Sequence, residues 1–218
     1  TLNYTFNFIS KHPTAVGFLA GWGSGYASGD IQNSTVFNYT GKYLTQSVVL
    51  TGKQTQATTA ATLESFSEYD GSADQRLKFT LNFKSGQNYV DWASASYSGN
   101  VINSRVFHYT GKYLAQSVVL TGKKTLAATG DAIESFTEYD SSPDQKLKYT
   151  LNFKSNATYA GWSEAGYTNN ILNTSLFNYT GKYLTQSVVL TGKDTDATGG
   201  EAIESYSDYA NRLPRGRT

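Results

Sequence analysis

Three nearly identical stretches of this sequence carry side chains suited to binding chemistry. The segment FNYTGKYLTQSVVLTGK occupies residues 37–53 and recurs unchanged at 177–193, and the variant FHYTGKYLAQSVVLTGK occupies residues 107–123. Each copy places an amide or imidazole, a lysine and a tyrosine around a Thr-Gly turn. These groups donate and accept hydrogen bonds and offer an aromatic face, as a sugar-binding site requires.

One Trp accompanies each copy and adds a large flat face for stacking. We expect Trp or Tyr to stack on a sugar ring, while Lys and Asn or His hydrogen-bond its hydroxyls. The middle site should differ in affinity or pH response, because His titrates near neutrality. The candidate ligand-binding residues are Trp22, Asn38, Lys42 and Tyr43; Trp92, His108, Lys112 and Tyr113; and Trp162, Asn178, Lys182 and Tyr183.

Two structural explanations compete with binding for the same residues. A Trp can anchor the small core of each unit, and recent duplication together with turn chemistry can keep the Thr-Gly-Lys turn unchanged. The neighbouring residues 46–50 are equally unchanged, and a core strand explains them without any function. We therefore place the functional hypothesis on residues 38–43 and their equivalents.

Carboxylate pairs are the strongest candidates for catalysis. A glycosidase needs two carboxyls about 5 to 9.5 Å apart. Residues four apart are separated by roughly 13 Å on a strand, whereas on a helix they are neighbours. A solvated acidic face is the simpler interpretation, so we expect no enzyme and no catalytic residues. The pairs are Glu64 and Glu68, Glu134 and Glu138, and Glu204 and Asp208.

Other site chemistries lack the residues that they require. The two histidines are His12 and His108, and the absence of Cys excludes disulfides and thiolate sites. A calcium site built from these acids with Asp70, Asp74 or Asp140 lacks the ordered Asp spacing of a known loop. We expect no metal site and no cofactor.

Charge and composition exclude further classes of protein. With 18 Lys and Arg against 17 Asp and Glu, the chain offers no basic stripe for nucleic acid. No apolar run approaches the roughly 20 residues of a spanning helix, so we expect no membrane insertion. The chain starts at Thr1 and contains no Met, which we interpret as processing of a secreted, extracellular protein.

The copies begin at residues 37, 107 and 177, and this period of 70 residues is typical of a tandem-repeat architecture. The pattern around each copy predicts five strands, A to E. Strand A alternates apolar and polar residues, strand B is a short aromatic segment after the Trp, and strands C and D flank the Thr-Gly-Lys turn. In the second unit, strands A to E are residues 77–83, 92–97, 106–109, 113–121 and 133–140.

Strand E is ambiguous between strand and helix. Ile133, Phe136 and Tyr139 fall at helical spacing, and Asp131 could cap a short helix. The residue types themselves favour a strand. We predict a strand here and at the equivalent residues 63–70 and 203–210.

Five short strands per unit predict an all-β protein of roughly fifteen strands. The units are residues 1–71, 72–141 and 142–211, followed by a basic tail at 212–218. Three copies favour one pseudo-threefold domain of the prism or trefoil type, with three small sheets packed about an axis. Separate units on a string are the alternative, but the connectors are short for free linkers.

This plan of three near-identical units in a processed β protein resembles the triple-tandem-repeat lectins, in particular the galactose-binding egg and gonad lectins of sea hares. The resemblance covers the whole chain through its period, and it implies glycan or glycoprotein ligands of galactose type. Three weak sites engaged together can gain about 10² to 10⁴ in avidity. We therefore expect a multivalent secreted lectin, for which a homo-oligomer is also compatible.

Two other functions stay open at the level of sequence. A structural or coat protein would use the repeats only to build shape. A protein-binding module of the protease-inhibitor kind would need one protruding loop, and the insertion between Ile9 and Gly21 in the first unit is its candidate.

Overall fold

The protein is all-β in a computed structural model that describes residues 3–8, 31–97, 99–196 and 202–209. Twelve strands lie within these ranges, and they pair antiparallel in chain order within one sheet. The chain divides into two compact units, Thr1–Ser104 and Arg105–Thr218. Of the residues described, none forms a helix with the length and apolar character needed to cross a membrane.

The first unit holds the first five strands and the start of the sixth. The hairpin between the second and third strands turns at Gly41, whose φ of 63° is the left-handed conformation that glycine adopts without strain. The strands are β1 (Tyr4–Phe8), β2 (Ile31–Thr40), β3 (Tyr43–Thr51), β4 (Leu63–Tyr69), β5 (Leu77–Phe83), β6 (Val101–Thr110), β7 (Tyr113–Thr121), β8 (Ile133–Tyr139), β9 (Leu147–Phe153), β10 (Ile171–Thr180), β11 (Tyr183–Thr191) and β12 (Ile203–Asp208).

Four of the five predicted strands per repeat are confirmed. Strand A forms β1, β5 and β9, strand D forms β3, β7 and β11, and strand E forms β4, β8 and β12, so the helical alternative for strand E is wrong. Strand C is longer than predicted, because β2 already begins at Ile31. The pattern missed this extension because polar residues occupy much of it.

The prediction of strand B is wrong where the structure describes the segment. After Trp92 the chain makes a single 3₁₀ turn at Ser94–Ser96, and the equivalent turn in the third repeat is Glu164–Gly166. The turn directs Tyr97 back over the sheet, where its hydroxyl donates to the Asp91 carbonyl at 2.6 Å. Because the Tyr97 hydroxyl bonds a backbone group of its own loop, that group does not need the partner that a neighbouring strand would supply. The first repeat's strand B lies outside the described residues.

The core lies on one face of the strands and is covered by a loop from the following repeat. In the first unit, Phe66 is fully buried, and the ring of Tyr97 lies 5.5 Å from it. In the second unit, Phe136 is fully buried, and Tyr167 lies 5.3 Å away. The first two repeats therefore each depend on the repeat that follows to bury their apolar face.

The expectation of three separate small sheets is also wrong. Strand E of one repeat pairs with strand A of the next, with Phe66 opposite Leu81 in β4 and β5 and Phe136 opposite Leu151 in β8 and β9. Backbone hydrogen bonds thus continue across the predicted unit boundaries. Sequence periodicity is the same for paired and unpaired repeats, so it did not distinguish the two arrangements.

The turn between β4 and β5 is built around Asp70. Its carboxylate accepts hydrogen bonds from the backbone N–H groups of Ser72 (3.0 Å) and Arg76 (3.1 Å) and from Arg76 Nε (2.7 Å). Desolvation by burial acts to raise the pKa of Asp70, but these bonds outweigh it and lower that pKa to about 2 from its ordinary 3.8. The next turn repeats the design with Asp140, whose pKa is also lowered.

We expect equivalent aromatic residues to differ sharply in their contribution to stability. Phe66→Ala and Phe136→Ala should each lower the free energy of unfolding by about 3–5 kcal/mol, because each leaves a cavity in a closed core. Tyr206 holds the same position in β12 but is 56% exposed, so Tyr206→Ala should cost less than about 1 kcal/mol. Urea unfolding of dilute protein measures all three, and equal losses would contradict this description of the core.

The Asp70 turn should also affect how steeply folding stability falls at acid pH. Because its folded pKa lies below the unfolded one, the carboxylate stabilises the fold above about pH 4, and this contribution is lost as pH falls through about 2. Asp70→Asn should therefore flatten the loss of stability between pH 4 and 2. Thermal unfolding against pH tests this, with Asp74→Asn at an exposed position as the control. If Asp70→Asn lost stability between pH 4 and 2 as steeply as the parent protein, the stabilising role given to the Asp70 carboxylate would be refuted.

Candidate functional site

Two depressions lie at equivalent places in the first and third repeats. The first has a volume of about 570 Å³ and the second about 420 Å³. Both are lined by the residues just before the Thr-Gly-Lys turn. Both are also lined by the first residues of the loop that follows strand D, the strand after that turn. The shared lining positions are Val36 and Leu176, Phe37 and Phe177, Asn38 and Asn178, Thr55 and Thr195, and Gln56 and Asp196.

The register of the hairpin places Asn38 at the end of the core face. Val36 lies opposite Val48 in the buried part of the sheet, and two residues further Asn38 lies opposite Gln46. Since side chains alternate between faces, Asn38 and Gln46 share the core face one row nearer the hairpin tip. Polar groups thus begin where the apolar core ends, and the depression opens there.

The amide of Asn38 is held in one orientation by its neighbours. Asn38 Nδ2 donates to Gln46 Oε1 at 2.8 Å, and Thr45 Oγ1 donates to the backbone carbonyl of Asn38 at 3.1 Å and to Gln46 Oε1 at 3.2 Å. This fixes Asn38 Oδ1 as the acceptor that remains for a ligand hydroxyl. The third repeat repeats the arrangement, with Asn178 Nδ2 at 3.2 Å from Gln186 Oε1.

Trp92 lines the same depression as Asn38. It is half-buried and lies edge-on to Tyr89, with ring centroids 5.6 Å apart. Sequence analysis grouped each Trp with the turn of its own unit, but this Trp comes from the repeat that follows Asn38. Trp22, expected beside Asn38, lies outside the described residues. The candidate site is therefore assembled from two consecutive repeats.

The middle repeat also brings together a Trp and the residue equivalent to Asn38, which is a histidine there. Trp162 stacks on His108, with ring centroids 5.0 Å apart and an interplanar angle of 22°. The predicted Trp and His are thus brought together, but one face of the indole is covered by the imidazole. Trp162 is also edge-on to Tyr159, as Trp92 is to Tyr89.

A hydrogen-bond chain orients the imidazole of His108. Gln116 Nε2 donates to Glu138 Oε2 at 3.1 Å, and Gln116 Oε1 lies 2.7 Å from His108 Nδ1. An ionised carboxylate only accepts hydrogen bonds, so the amide nitrogen must face Glu138 and the amide oxygen must face the ring. His108 therefore donates from Nδ1, and Nε2 is the acceptor of the neutral ring.

The two sequence differences of the middle copy meet at this place. In the first repeat, Thr45 donates to the backbone of Asn38; in the middle repeat the same positions are Ala115 and His108. The substitutions therefore change one contact pair. The other positions of the seventeen-residue stretch are unchanged.

Lysine and tyrosine of the turn lie at the hairpin tip and are not among the residues that line the depressions. Lys42 Nζ lies 5.3 Å from the ring centroid of Tyr43, and Lys112 and Tyr113 have the same separation. Lys182 and Tyr183 are 5.5 Å apart. Such cation–π pairs order the tip, so the lysines and tyrosines form a second group of predicted residues.

The carboxylate pairs lie on strands and take part in cross-strand contacts. Glu64 accepts hydrogen bonds from Asn33 and Thr51, and Glu68 accepts one from Lys78 at 2.6 Å. In the third repeat, Glu204 accepts from Asn173 and Thr191 in the same way. Within the described ranges no group of three potential metal ligands comes together. His12 and the insertion at Ile9–Gly21 lie outside those ranges.

Sequence reasoning missed the glutamines and the connector residues. We assigned residues 46–50 wholly to a core strand, yet Gln46 and Gln116 orient Asn38 and His108. Strand alternation could have found them, because a hairpin that turns at Gly41 places Gln46 opposite Asn38. Thr55 and Gln56 carry no sequence signal, since they lie within a loop, residues 54–62, that differs between the copies.

Comparison with known protein families and with curated proteins found no match to this chain. Its site is therefore interpreted from its own geometry.

The hydrogen-bond chain predicts the tautomer of His108. In a His12→Asn variant, which keeps His108 as the single histidine, nitrogen NMR of the neutral ring should find the proton on Nδ1. Gln116→Leu removes the acceptor and should shift the population toward the Nε2 tautomer. A proton on Nε2 in the presence of Gln116 would contradict the chain.

Proposed function

We propose that this protein is a secreted carbohydrate-binding protein whose first two sites form where a Trp of one repeat meets the Asn or His of the preceding repeat. The observation that carries the proposal is the depression that holds both Trp92 and Asn38. It combines a half-buried aromatic face with an amide whose orientation is fixed by Gln46. Sugars need one apolar face and a few fixed polar groups.

The size and lining of the depression suit a small glycan. A volume of about 570 Å³ is within the range of roughly 300–1,000 Å³ typical of small-molecule sites. The apolar face of a sugar ring would lie on Trp92, and a hydroxyl would donate to Asn38 Oδ1. Thr55 and Gln56 offer further hydrogen-bonding groups at the rim. Galactose has such an apolar face, so we retain galactose-type sugars as the expected ligands.

We infer that the three sites are not equivalent. Trp92 meets Asn38 in the first, whereas His108 covers one face of Trp162 in the middle. In the third, the depression at Asn178 is lined by Tyr206 and Lys148 and by no Trp among the described residues. Unequal sites on one chain still give avidity toward a multivalent surface. The pseudo-threefold relation of the repeats is kept as part of this proposal.

The lysine and tyrosine of the hairpin tip take a secondary role in this proposal. They do not line the depression, so they would contact only a glycan that extends beyond it. A structural or coat function is the second candidate, because repeats joined through one sheet also build shape. The glycan-binding experiment described next distinguishes carbohydrate binding from a structural role.

A glycan array followed by titration calorimetry tests the proposal. Trp92→Ala and Asn38→Ala should each weaken binding at the first site about tenfold, since a stacked ring or a fixed hydrogen bond contributes roughly 1–1.5 kcal/mol. Lys42→Ala, at the tip, is the matched control and should bind nearly as well as the parent. Measurements with and without a chelator test for a metal requirement.

Two results would count against this function. A glycan array without hits at high protein concentration would favour the structural alternative. Binding that is lost in Lys42→Ala but kept in Trp92→Ala would move the site from the depression to the hairpin tip. Circular dichroism of each variant confirms that a loss of binding is not a loss of fold.

A further inference from the structure

The last strand of the sheet exposes side chains whose equivalents are buried. In β12, Ile203 is 65% exposed and Tyr206 is 56% exposed. The equivalent residues Leu63 and Phe66 in β4 are 1% and 0% exposed, and Ile133 and Phe136 in β8 are equally buried. Three copies of one strand thus have the same apolar pattern, but only two of them are covered.

The two covered copies show what normally lies beside this strand. Strands β4 and β8 are each followed in the sheet by a strand A of the next repeat, β5 or β9. We call these two strand pairings, β4 with β5 and β8 with β9, the internal seams. The register is the same in both seams: Ser65 is opposite Asn82 in one, and Ser135 is opposite Asn152 in the other. Among the described strands, β12 pairs with β11 alone.

The opposite end of the sheet offers the complementary strand. By sequence, β1 is the strand A of the first repeat and therefore the counterpart of β5 and β9. Within the described part of the chain it pairs with β2 alone. Its aromatic residues Tyr4 and Phe6 are half-buried, whereas their equivalents Phe79 and Leu81 are 2% and 0% exposed.

We propose that β12 of one copy of this protein pairs antiparallel with β1 of a second copy, in the register of the two internal seams. Transferring that register places Ser205 opposite Asn7, Tyr206 opposite Phe6 and Ser207 opposite Thr5. The occupant of this edge is a second copy because each chain carries both halves of a seam that the chain itself forms twice. A strand edge without a partner among the described strands is a template for such addition.

Both faces of the proposed seam have matched chemistry. On the apolar face, Tyr206 would pack against Phe6, as Phe66 does against Leu81. On the polar face, Ser207 and Thr5 would share a hydroxyl hydrogen bond, as Ser67 and Thr80 do at 2.9 Å. The internal seams also join Glu68 to Lys78, but their equivalents Asp208 and Asn3 do not form an ion pair. Association between copies should therefore depend little on salt.

This contact is heterologous, because the two surfaces that meet are different. Head-to-tail pairing makes short chains of molecules or closed rings, and either form multiplies the number of sites presented together. The inference concerns assembly and does not require the proposed function to hold. A protein that associates but binds no glycan would contradict only the proposed function. A protein that binds glycan but does not associate would contradict only this inference.

Engineered cysteines test the register, and the absence of native Cys makes the result unambiguous. Asn7→Cys and Ser205→Cys, made in separate chains and mixed, should form a disulfide-linked heterodimer, because directly opposite residues are within disulfide range. Thr5→Cys with Ser207→Cys should do the same. Thr5→Cys with Ser205→Cys is two residues out of register and serves as the control.

The same cysteines distinguish a second copy from the chain's own first strand. If the Asn7→Cys, Ser205→Cys double variant forms its disulfide within a single chain at nanomolar dilution, the seam closes intramolecularly and the proposal is overturned. Failure of both in-register pairs to cross-link, or equal cross-linking of the control pair, overturns it as well. Each outcome is determined by mass under non-reducing conditions.

Sedimentation velocity provides a second measurement without cysteines. The parent protein should gain mass as its concentration rises, and Tyr206→Lys should weaken association about tenfold or more by placing a charge at the seam. Thr191→Lys adds the same charge at an exposed position of β11 and should leave association unchanged. A parent protein that stays at the mass of one chain up to high concentration would refute the proposal.

Discussion

The rest of the structure depends on one kind of contact, in which a tyrosine of the second or third repeat packs on a phenylalanine of the repeat before it. Tyr97 covers Phe66, and Tyr167 covers Phe136. Burial raises the pKa of Tyr97, so its hydroxyl stays protonated and donates to the carbonyl of Asp91. One side chain thereby closes the core and fixes the loop that carries Trp92. Because this loop crosses from one repeat to the preceding one, the Trp must meet the preceding repeat's Asn.

The strands of this fold were predictable, but their partners were not. Alternation of apolar and polar residues located strands A, D and E, and the turn at Gly41 was evident because only glycine adopts its φ easily. Strand B was predicted from aromatic residues, but Tyr97 is buried by packing on Phe66 rather than by strand pairing. The choice between one sheet and three depends on contacts between distant residues, to which a local pattern is insensitive. The grouping of Trp92 with Asn38 follows from those contacts and could not be predicted either.

Identical sequence does not give identical environments in a chain of repeats, and the third repeat shows the consequence. Among the described strands, β12 pairs with β11 alone, whereas β4 and β8 each pair also with the strand A that follows. Its sequence has diverged accordingly: Tyr206 stands where the other copies have Phe66 and Phe136. A hydroxyl at this position lowers the cost of exposure in a single copy and still allows packing when a neighbour is present. Tyrosine at this position is thus suited to the association between copies proposed above.

The distribution of change among the copies bears on function more than their similarity does. Duplication explains why the strand from Ser47 to Leu50 is unchanged, and core packing would retain it. The two differences of the middle copy, His108 and Ala115, occupy positions that contact each other in the first repeat, as Asn38 and Thr45 do. Drift without selection would scatter changes over exposed positions such as Thr40 and Lys42, which are invariant. Within the seventeen-residue stretch the changes fall only on this polar pair, and His108 of the pair stacks on Trp162. This distribution supports the binding function proposed above over a role in which the repeats only build shape.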